Sequence, residues 1–430
     1  MIAGAAKVDI TPPVGVTLGG FAGRYKPSEG IHDQMNAKAI YLQADDITVL
    51  LIAVDILNLT DGIVQEVRRA LSKKLGIQEG AIMLAATHTH SGPALLPDIT
   101  SEVEPELNRS YMEELPSLLT EAGEKAHEKS ERASAKWGVG RAEITYNRRT
   151  EGGPVDPQVV ALCIENGTGV PVATVVNYAC HGVVLGGSNY FISADFMGYT
   201  SRTIELALEE GHVSLYVNGA TGDLNPMTCK GYGCLGTFED AQRLGMAVAN
   251  SAIEALKSPS VAANPRLGFA HSTLTVKKLK PSIDAAKKYH EDQLQALTKV
   301  RESGAKPEEI KAQEAVVAYA AKNLRMAETV NFSESDEAQL QAVRVGDFAL
   351  ATMPGETLVR LGLELKRRSP FSTTGLVSYA NGYHGYIPTL EDYNRGGYEA
   401  STTWWNRLAP GMGELMLEED LRLLNLIRQG

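Results

Sequence analysis

The sequence predicts a mixed α/β fold, in which helices cover a β-sheet core and a helical insertion interrupts the sheet pattern. Between residues 36 and 165, apolar runs such as "AKAIYLQ", "ITVLLIAVDIL" and "AIMLAAT" alternate with amphipathic stretches such as "DGIVQEVRRALSKKLG". This alternation is how buried strands and their covering helices read. The apolar runs are also short and end in glycine, asparagine or histidine, where α/β chains leave the sheet and tend to place their chemistry.

Taken in order, "AKAIYLQ" and "ITVLLIAVDIL" are expected strands, "DGIVQEVRRALSKKLG" a helix and "AIMLAAT" a third strand. In "YMEELPSLLTEAGEKAHEKS", Leu115, Leu118, Leu119, Ala122 and Ala126 recur near helical spacing with charges opposite, so a helix is expected. Further strands are expected at "VVALCIE", "PVATVVNYACH" and "SLYVNG".

Residues 276–330 turn lysine-, glutamate- and alanine-rich with helical period, and "SGAKPEE" breaks them into two helices with Pro307 near the start of the second. Their charges read as a solvated face, with a lid or an oligomer contact as alternatives. Sheet character resumes at "AVRVGDFALATMPGE" and "TGLVSYANGYHGYIP". No internal repeat is visible, and residues 1–430 are expected to form one catalytic domain carrying the 276–330 insertion.

A net charge of −11 argues against nucleic acid or an anionic membrane as partner, since a phosphate-tracking surface carries a basic excess. No run reaches the roughly 18 to 20 apolar residues that span a bilayer. The opening "MIAGAAKVDITPP" lacks the pattern of a signal peptide, so a cytoplasmic location is expected, with export as the alternative. Cys163 and Cys180 sit in apolar contexts and read as small buried hydrophobes. Cys229 and Cys234, in "CKGYGC", read as reduced thiols or as a small disulfide loop.

The chemistry-bearing residues gather where strands end. In "THTHSGP", His88 and His90 are two apart and can converge on one centre. Such a pair serves as metal ligands or as hydrogen-bonded core residues. A second apolar strand ends in His181, and "ATMPGETL" supplies Glu356 beyond another; that glutamate alternatively fits a helix's first turn. An amidohydrolase barrel also uses a histidine pair, but after its first strand and within an eightfold rhythm that is missing here.

With these residues in hand, the chain resembles the catalytic domain of the neutral ceramidases, zinc-dependent amidases that cleave the N-acyl bond of ceramide. "KVDITPP", "GIHDQMNAKA", "THTHSGP", "YNRRT", "ISADFMGYTS", "GATGDLNP", "MPGET" and "GYIPTLEDYNRGGYEAST" follow in that family's order. The resemblance spans about residues 4 to 402, with 276–330 poorly matched. It implies His88, His181, Glu356 and Tyr386 as zinc ligands. His90 would then stand beside the metal and, with Arg148 and Tyr398, stabilise charge on the substrate oxygen. Asp55 and Asp195 are candidate acceptors for the outer nitrogens of zinc-bound imidazoles, or mere turn caps.

Two departures bear on the substrate. The family's "GDVSPN"-like loop carries a serine where this chain has Asn225, which can hydrogen-bond substrate but cannot act as a serine nucleophile. The β-sandwich that follows the catalytic domain in longer members is expected to be absent. The sequence therefore implies a zinc hydrolase in which activated water attacks an amide or ester of a small or polar molecule, with a lipid as the alternative substrate. A true ceramidase and a non-catalytic zinc- or ligand-binding relative are the alternatives, and homo-oligomerisation stays open.

Overall fold

The computed structural model describes residues 1–95, 106–231, 233–262 and 265–429. Although the sequence shows no repeat, one order of elements recurs three times. In the first unit β1 (Ile2–Asp9), β2 (Asn36–Ala44) and β3 (Ile47–Val54) pair antiparallel in succession. The helix α1 (Asp61–Leu75) then returns the chain so that β4 (Ile82–Ala86) pairs parallel to β3, and α2 (Glu106–Glu128) follows.

The second unit repeats this with β5 (Glu131–Arg141), β6 (Gln158–Asn166), β7 (Pro171–Tyr178), α3 (Asp195–Ala207), β8 (Val213–Asn218) and α4 (Phe238–Ala255). Again the first three strands are antiparallel, and the fourth is parallel to the third. In the third unit β9 (Leu267–Lys277) leads into the helical hairpin α5 (Ile283–Glu302) and α6 (Pro307–Thr329). Then come β10 (Ser335–Val345), β11 (Phe348–Met353), α7 (Val359–Arg368), β12 (Thr373–Ser378) and α8 (Met412–Gln429), with the same strand senses.

Units one and two share one sheet, in the spatial order β8-β7-β6-β5-β1-β2-β3-β4, while unit three forms its own sheet, β9-β10-β11-β12. The fourth strands meet at the centre. Ala85 bridges Ala380, the Asn381 N–H donates to the Leu84 carbonyl at 2.8 Å, and the Asn218 amide donates to the Thr87 carbonyl at 2.6 Å. Leu84 lies in β4, the edge strand of its sheet, and Thr87 lies just past that strand's end, so asparagines from other units satisfy these buried carbonyls.

Burial on both faces explains the continuous apolar run of β3. Leu50, Ile52 and Val54 join the cluster beneath α1 and α2, whereas Val49, Leu51 and Ala53 face the layer that also holds Leu162, Val175, Leu215 and Leu350. A strand of period two with both faces in core has no polar position to reveal it. By contrast β5, "ERASAKWGVGR", leaves much of its length exposed or half-exposed, and no apolar run marks it. Neither β1 nor the helices α3, α4 and α8 are among the elements read from sequence.

Between β9 and β10 lie the helices α5 and α6, with Pro307 at the first position of α6 and the Glu309 carboxylate accepting from the Lys306 N–H at 3.0 Å. The helices bury few residues, chiefly Leu297, Ala315, Tyr319, Ala320 and Asn323, so most of their charge faces solvent. Cys229 and Cys234 are joined in a disulfide, the alternative to the reduced pair. No helix among the described residues is long and apolar enough to cross a membrane.

Candidate metal centre

The candidate residues lie at the carboxyl ends of the parallel strand pairs, one pair from each unit. His88 and His90 follow β4, His181 follows β7, Thr221 and Asn225 follow β8, Glu356 follows β11, and Tyr379, Tyr383 and Tyr386 follow β12. Loops leaving the same end of parallel strands converge, which is why open α/β sheets bind ligands there.

Close approach of the three units needs glycine. A Cβ on Gly182 would stand 2.3 Å from the His88 carbonyl oxygen, and one on Gly222 would stand 2.4 Å from that of Glu356. His88 itself has φ of 64°, a left-handed conformation that costs on the order of 1 kcal/mol or more for a residue with a Cβ. Its N–H donates to the Ile56 carbonyl at 2.9 Å, which holds it in place.

Three buried imidazoles, His88, His90 and His181, bring their ring nitrogens together so that three of them can hold a metal ion. The Nε2 of His88 lies 3.1 Å from that of His181 and 3.1 Å from that of His90. Glu356 Oε2 lies 3.6 Å from His88 Nε2 and 3.5 Å from His181 Nε2. The outer nitrogens decide the tautomers: His88 Nδ1 donates to the Leu57 carbonyl at 2.6 Å, and His181 Nδ1 donates to the Thr221 carbonyl at 3.2 Å. The proton on Nδ1 turns each Nε2 inward, where a neutral ring presents a lone pair.

Two lone pairs facing each other at such a distance repel, as does a carboxylate oxygen beside them. Glu356 Oε2 is buried without a hydrogen-bond partner. A cation among these atoms relieves every one of these conflicts, and imidazole plus carboxylate is a donor set that zinc accepts.

The electrostatics agree. Burial, then the charges of Arg148 and the neighbouring imidazoles, holds His181 well below its ordinary pKa. His90 is depressed in the same direction by burial, His88, Arg24 and Arg148. Burial opposes ionisation of Glu356, but His88, the Tyr383 hydroxyl and Arg148 outweigh it and hold the carboxyl below its usual value. Burial pushes the Tyr386 phenol well above its ordinary pKa, against the pull of Arg148.

Arg148 spans one side of the centre. Its guanidinium donates to the Tyr386 hydroxyl at 2.9 Å, to Asn225 Oδ1 at 3.1 Å and to Glu399 Oε1 at 2.9 Å. Asn225 donates in turn to the Gly231 carbonyl at 2.9 Å, inside the disulfide loop. Its amide therefore already braces Arg148. Tyr398 packs edge-on to Tyr386 with ring centres 5.6 Å apart and is 47% exposed.

Sequence reasoning missed three residues here. Tyr383 donates to Glu356 Oε1 at 2.6 Å, and Tyr379 stacks on the His88 ring at 3.9 Å while its hydroxyl meets that of Thr221 at 2.6 Å. Glu399 is fully enclosed and bridges Arg148 and Arg149. All three lie in or beside the quoted motifs, but only packing shows what they touch.

Asp55 and Asp195 are placed away from the imidazole nitrogens of His88 and His181, whose acceptors are the carbonyls of Leu57 and Thr221. Asp55 accepts from the Asn36 N–H at 3.0 Å. Asp195 accepts from the N–H groups of Leu185 at 3.1 Å and Phe196 at 2.6 Å. A backbone carbonyl at a strand end orients a ring as well as a carboxylate does, and adds no charge to an enclosed site.

Residues 1–251 match the family model described as neutral/alkaline non-lysosomal ceramidase, N-terminal. The chain is 25% identical over 327 residues to neutral ceramidase B of Dictyostelium discoideum, an alignment covering 63% of this chain and 45% of that protein. It thus spans less than half the length of that relative. The fold is similar to the crystal structure of neutral ceramidase from Pseudomonas aeruginosa, with TM-score 0.78 and 18% identity over 100% of this chain and 74% of that one. A ceramidase complexed with C2 gives TM-score 0.77 at 17% identity, over 100% of this chain and 75% of the other.

Proposed function

The chain belongs to the neutral/alkaline non-lysosomal ceramidase family, and on that premise we propose that it is a zinc-dependent hydrolase of an amide or ester smaller or more polar than ceramide. One observation carries the metal: the Nε2 atoms of two imidazoles and an unpartnered carboxylate oxygen share one buried point. In this reading His88, His181, Glu356 and Tyr386 hold the ion. A zinc ion held there would lower the pKa of bound water toward about 7 and polarise a carbonyl.

The chain's own groups do the rest. His90, buried and held neutral, faces the centre and can pass a proton between water and leaving group. Arg148 offers fixed positive charge where a carbonyl oxygen becomes negative, and its guanidinium is held by Glu399, so little reorganisation is needed as charge develops. Tyr398, packed edge-on to Tyr386, is the third group assigned to the developing charge on the substrate oxygen. Asn225, where the family's loop carries serine, keeps Arg148 in position and lets water, not a side chain, attack.

A second ligand set, His88, His90 and His181 with Glu356, is favoured by one distance: His90 Nε2 is as close to His88 Nε2 as His181 Nε2 is. A ceramidase in the strict sense is supported by the names of the similar proteins, and a non-catalytic zinc-binding relative by Asn225. Zinc-loaded protein assayed on N-acyl sphingosines beside short-chain amides, esters and lactones separates them. Fast ceramide cleavage overturns the small-substrate reading. Stoichiometric zinc with no turnover of any substrate favours the non-catalytic one.

A further inference from the structure

Between units one and three, a cavity of about 660 Å³ opens between α1 and the ribbon made by β9 and β10, and nothing in the chemistry above uses it. Its volume lies in the middle of the range of small-molecule sites, about 300 to 1,000 Å³. Of residues 379–386, which reach the metal centre, only Asn381 lines it. The lining is polarised. Arg68, Arg69 and His271 stand at one end, where His271 packs on Gly80. At the other, Asp61 begins α1, and Asp336 and Glu337 lie near the start of β10. Glu79 at the first end, and Lys278, which donates to Asp336 at the second, offset this only in part. Asp61 and Arg68 are seven positions apart on one helix, a rise of about 10 Å. The ribbon runs alongside, with Glu337 opposite Thr275 and Gln341 opposite His271.

Both ends lack a counter-charge. Arg68 is 4% exposed, and its Nε donates to the Ile82 carbonyl at 2.9 Å. No carboxylate pairs with it among the described residues, and its Nη1, which makes no hydrogen bond, is not enclosed. Burial, opposed by the charge of Glu79, lowers its pKa to about 10, so it stays a cation at neutral pH. A guanidinium that has lost water without gaining an anion is stabilised when one arrives. At the other end, burial and then the charge of Asp336 push the Asp61 carboxyl up to about 6, against the pull of Lys278. Carboxylates that repel each other gain from a cation beside them.

We infer that this cleft is a second ligand site, taking a zwitterion about 10 Å long whose carboxylate meets Arg68 and whose ammonium meets Asp61, Asp336 and Glu337. A free tripeptide has this form, since three extended residues span about 10 Å between charged termini. Its amides meet the polar side chains of Thr275, Ser335 and Gln339, which line the ribbon side. An anion alone is disfavoured by the acidic end and a cation alone by Arg68. The site stands independently of the hydrolase reading, because binding is read without turnover.

The full chain, with zinc added, is titrated by calorimetry with trialanine, with its N-acetyl derivative and with its C-terminal amide. Trialanine is expected to bind at least about tenfold tighter than either capped form, the loss of one charge-assisted contact. Arg68→Met, close in length and uncharged, should erase the preference over the amide, and Asp61→Asn the preference over the N-acetyl derivative. Gln65→Trp fills the cavity from an exposed position of α1 and should abolish binding while zinc content stays at the wild-type level. If Arg68→Met does not fold, Asp61→Asn and Gln65→Trp decide. Equal binding of the three peptides by wild type, or no binding of trialanine, overturns the proposal. So does unchanged binding in Gln65→Trp, which would put the peptide at the zinc instead.

Discussion

Glu399, fully enclosed, accepts from Arg148 Nε at 2.9 Å and ties that guanidinium to the loop after β12, 251 residues away along the chain. A buried carboxylate paired with two arginines holds them in one geometry, and Arg148 is thereby aimed at Tyr386 and Asn225.

Glu399→Gln keeps the shape and removes the charge. It is expected to lower kcat about 10- to 100-fold with a smaller change in KM, because Arg148 loses its fixed position. Metal content measured by elemental analysis should stay at the wild-type level. Full activity in this variant would remove Glu399 from the positioning of Arg148.

The proposed ligand set separates the two histidines of "THTHSG". His88→Ala and His181→Ala are each expected to lose zinc on dialysis, whereas His90→Ala should retain it and lose activity. Zinc loss from His90→Ala would select the three-histidine set, and full retention by His181→Ala would reject both sets.

Tyr383→Phe deletes the hydroxyl that donates to Glu356 Oε1 at 2.6 Å. Loss of such a hydrogen bond to a ligating carboxylate typically weakens metal binding about 10- to 100-fold. Competition with a chromophoric zinc chelator reads this directly. An unchanged zinc affinity would take Glu356 out of the ligand set.

Asp195 supplies a pH dependence of stability away from the centre. Burial pushes its carboxyl up to about 7, against hydrogen bonds from Phe196 and Leu185, while the unfolded chain titrates near about 4. Between those values the folded state keeps a proton that the unfolded state has released. Stability therefore falls as pH rises through that window, by at most about 1.4 kcal/mol per pH unit from this group, and levels off above it. Urea midpoints at pH 5 and pH 7 should differ less in Asp195→Asn than in wild type.

Strand ends were legible in the sequence because β3, β4, β7 and β8 are buried on both faces along most of their length and leave largely apolar runs. The histidines that follow β4 and β7 stand out for the same reason. The resemblance then tied His88, His181, Glu356 and Tyr386 together, although spacing alone left His88 and His90 equivalent.

What the sequence by itself determined is thus the α/β class, the helical hairpin and the residue types that converge. Only the tertiary structure decided the threefold order of units, the roles of the Leu57 and Thr221 carbonyls, and the contacts of Tyr379, Tyr383 and Glu399. The physical reason is that backbone carbonyls carry no sequence signal, and a tyrosine or glutamate reads alike whether solvated or buried against a histidine. Period and composition report which face is buried; which partner lies across that face is fixed when three separately encoded strand ends pack together.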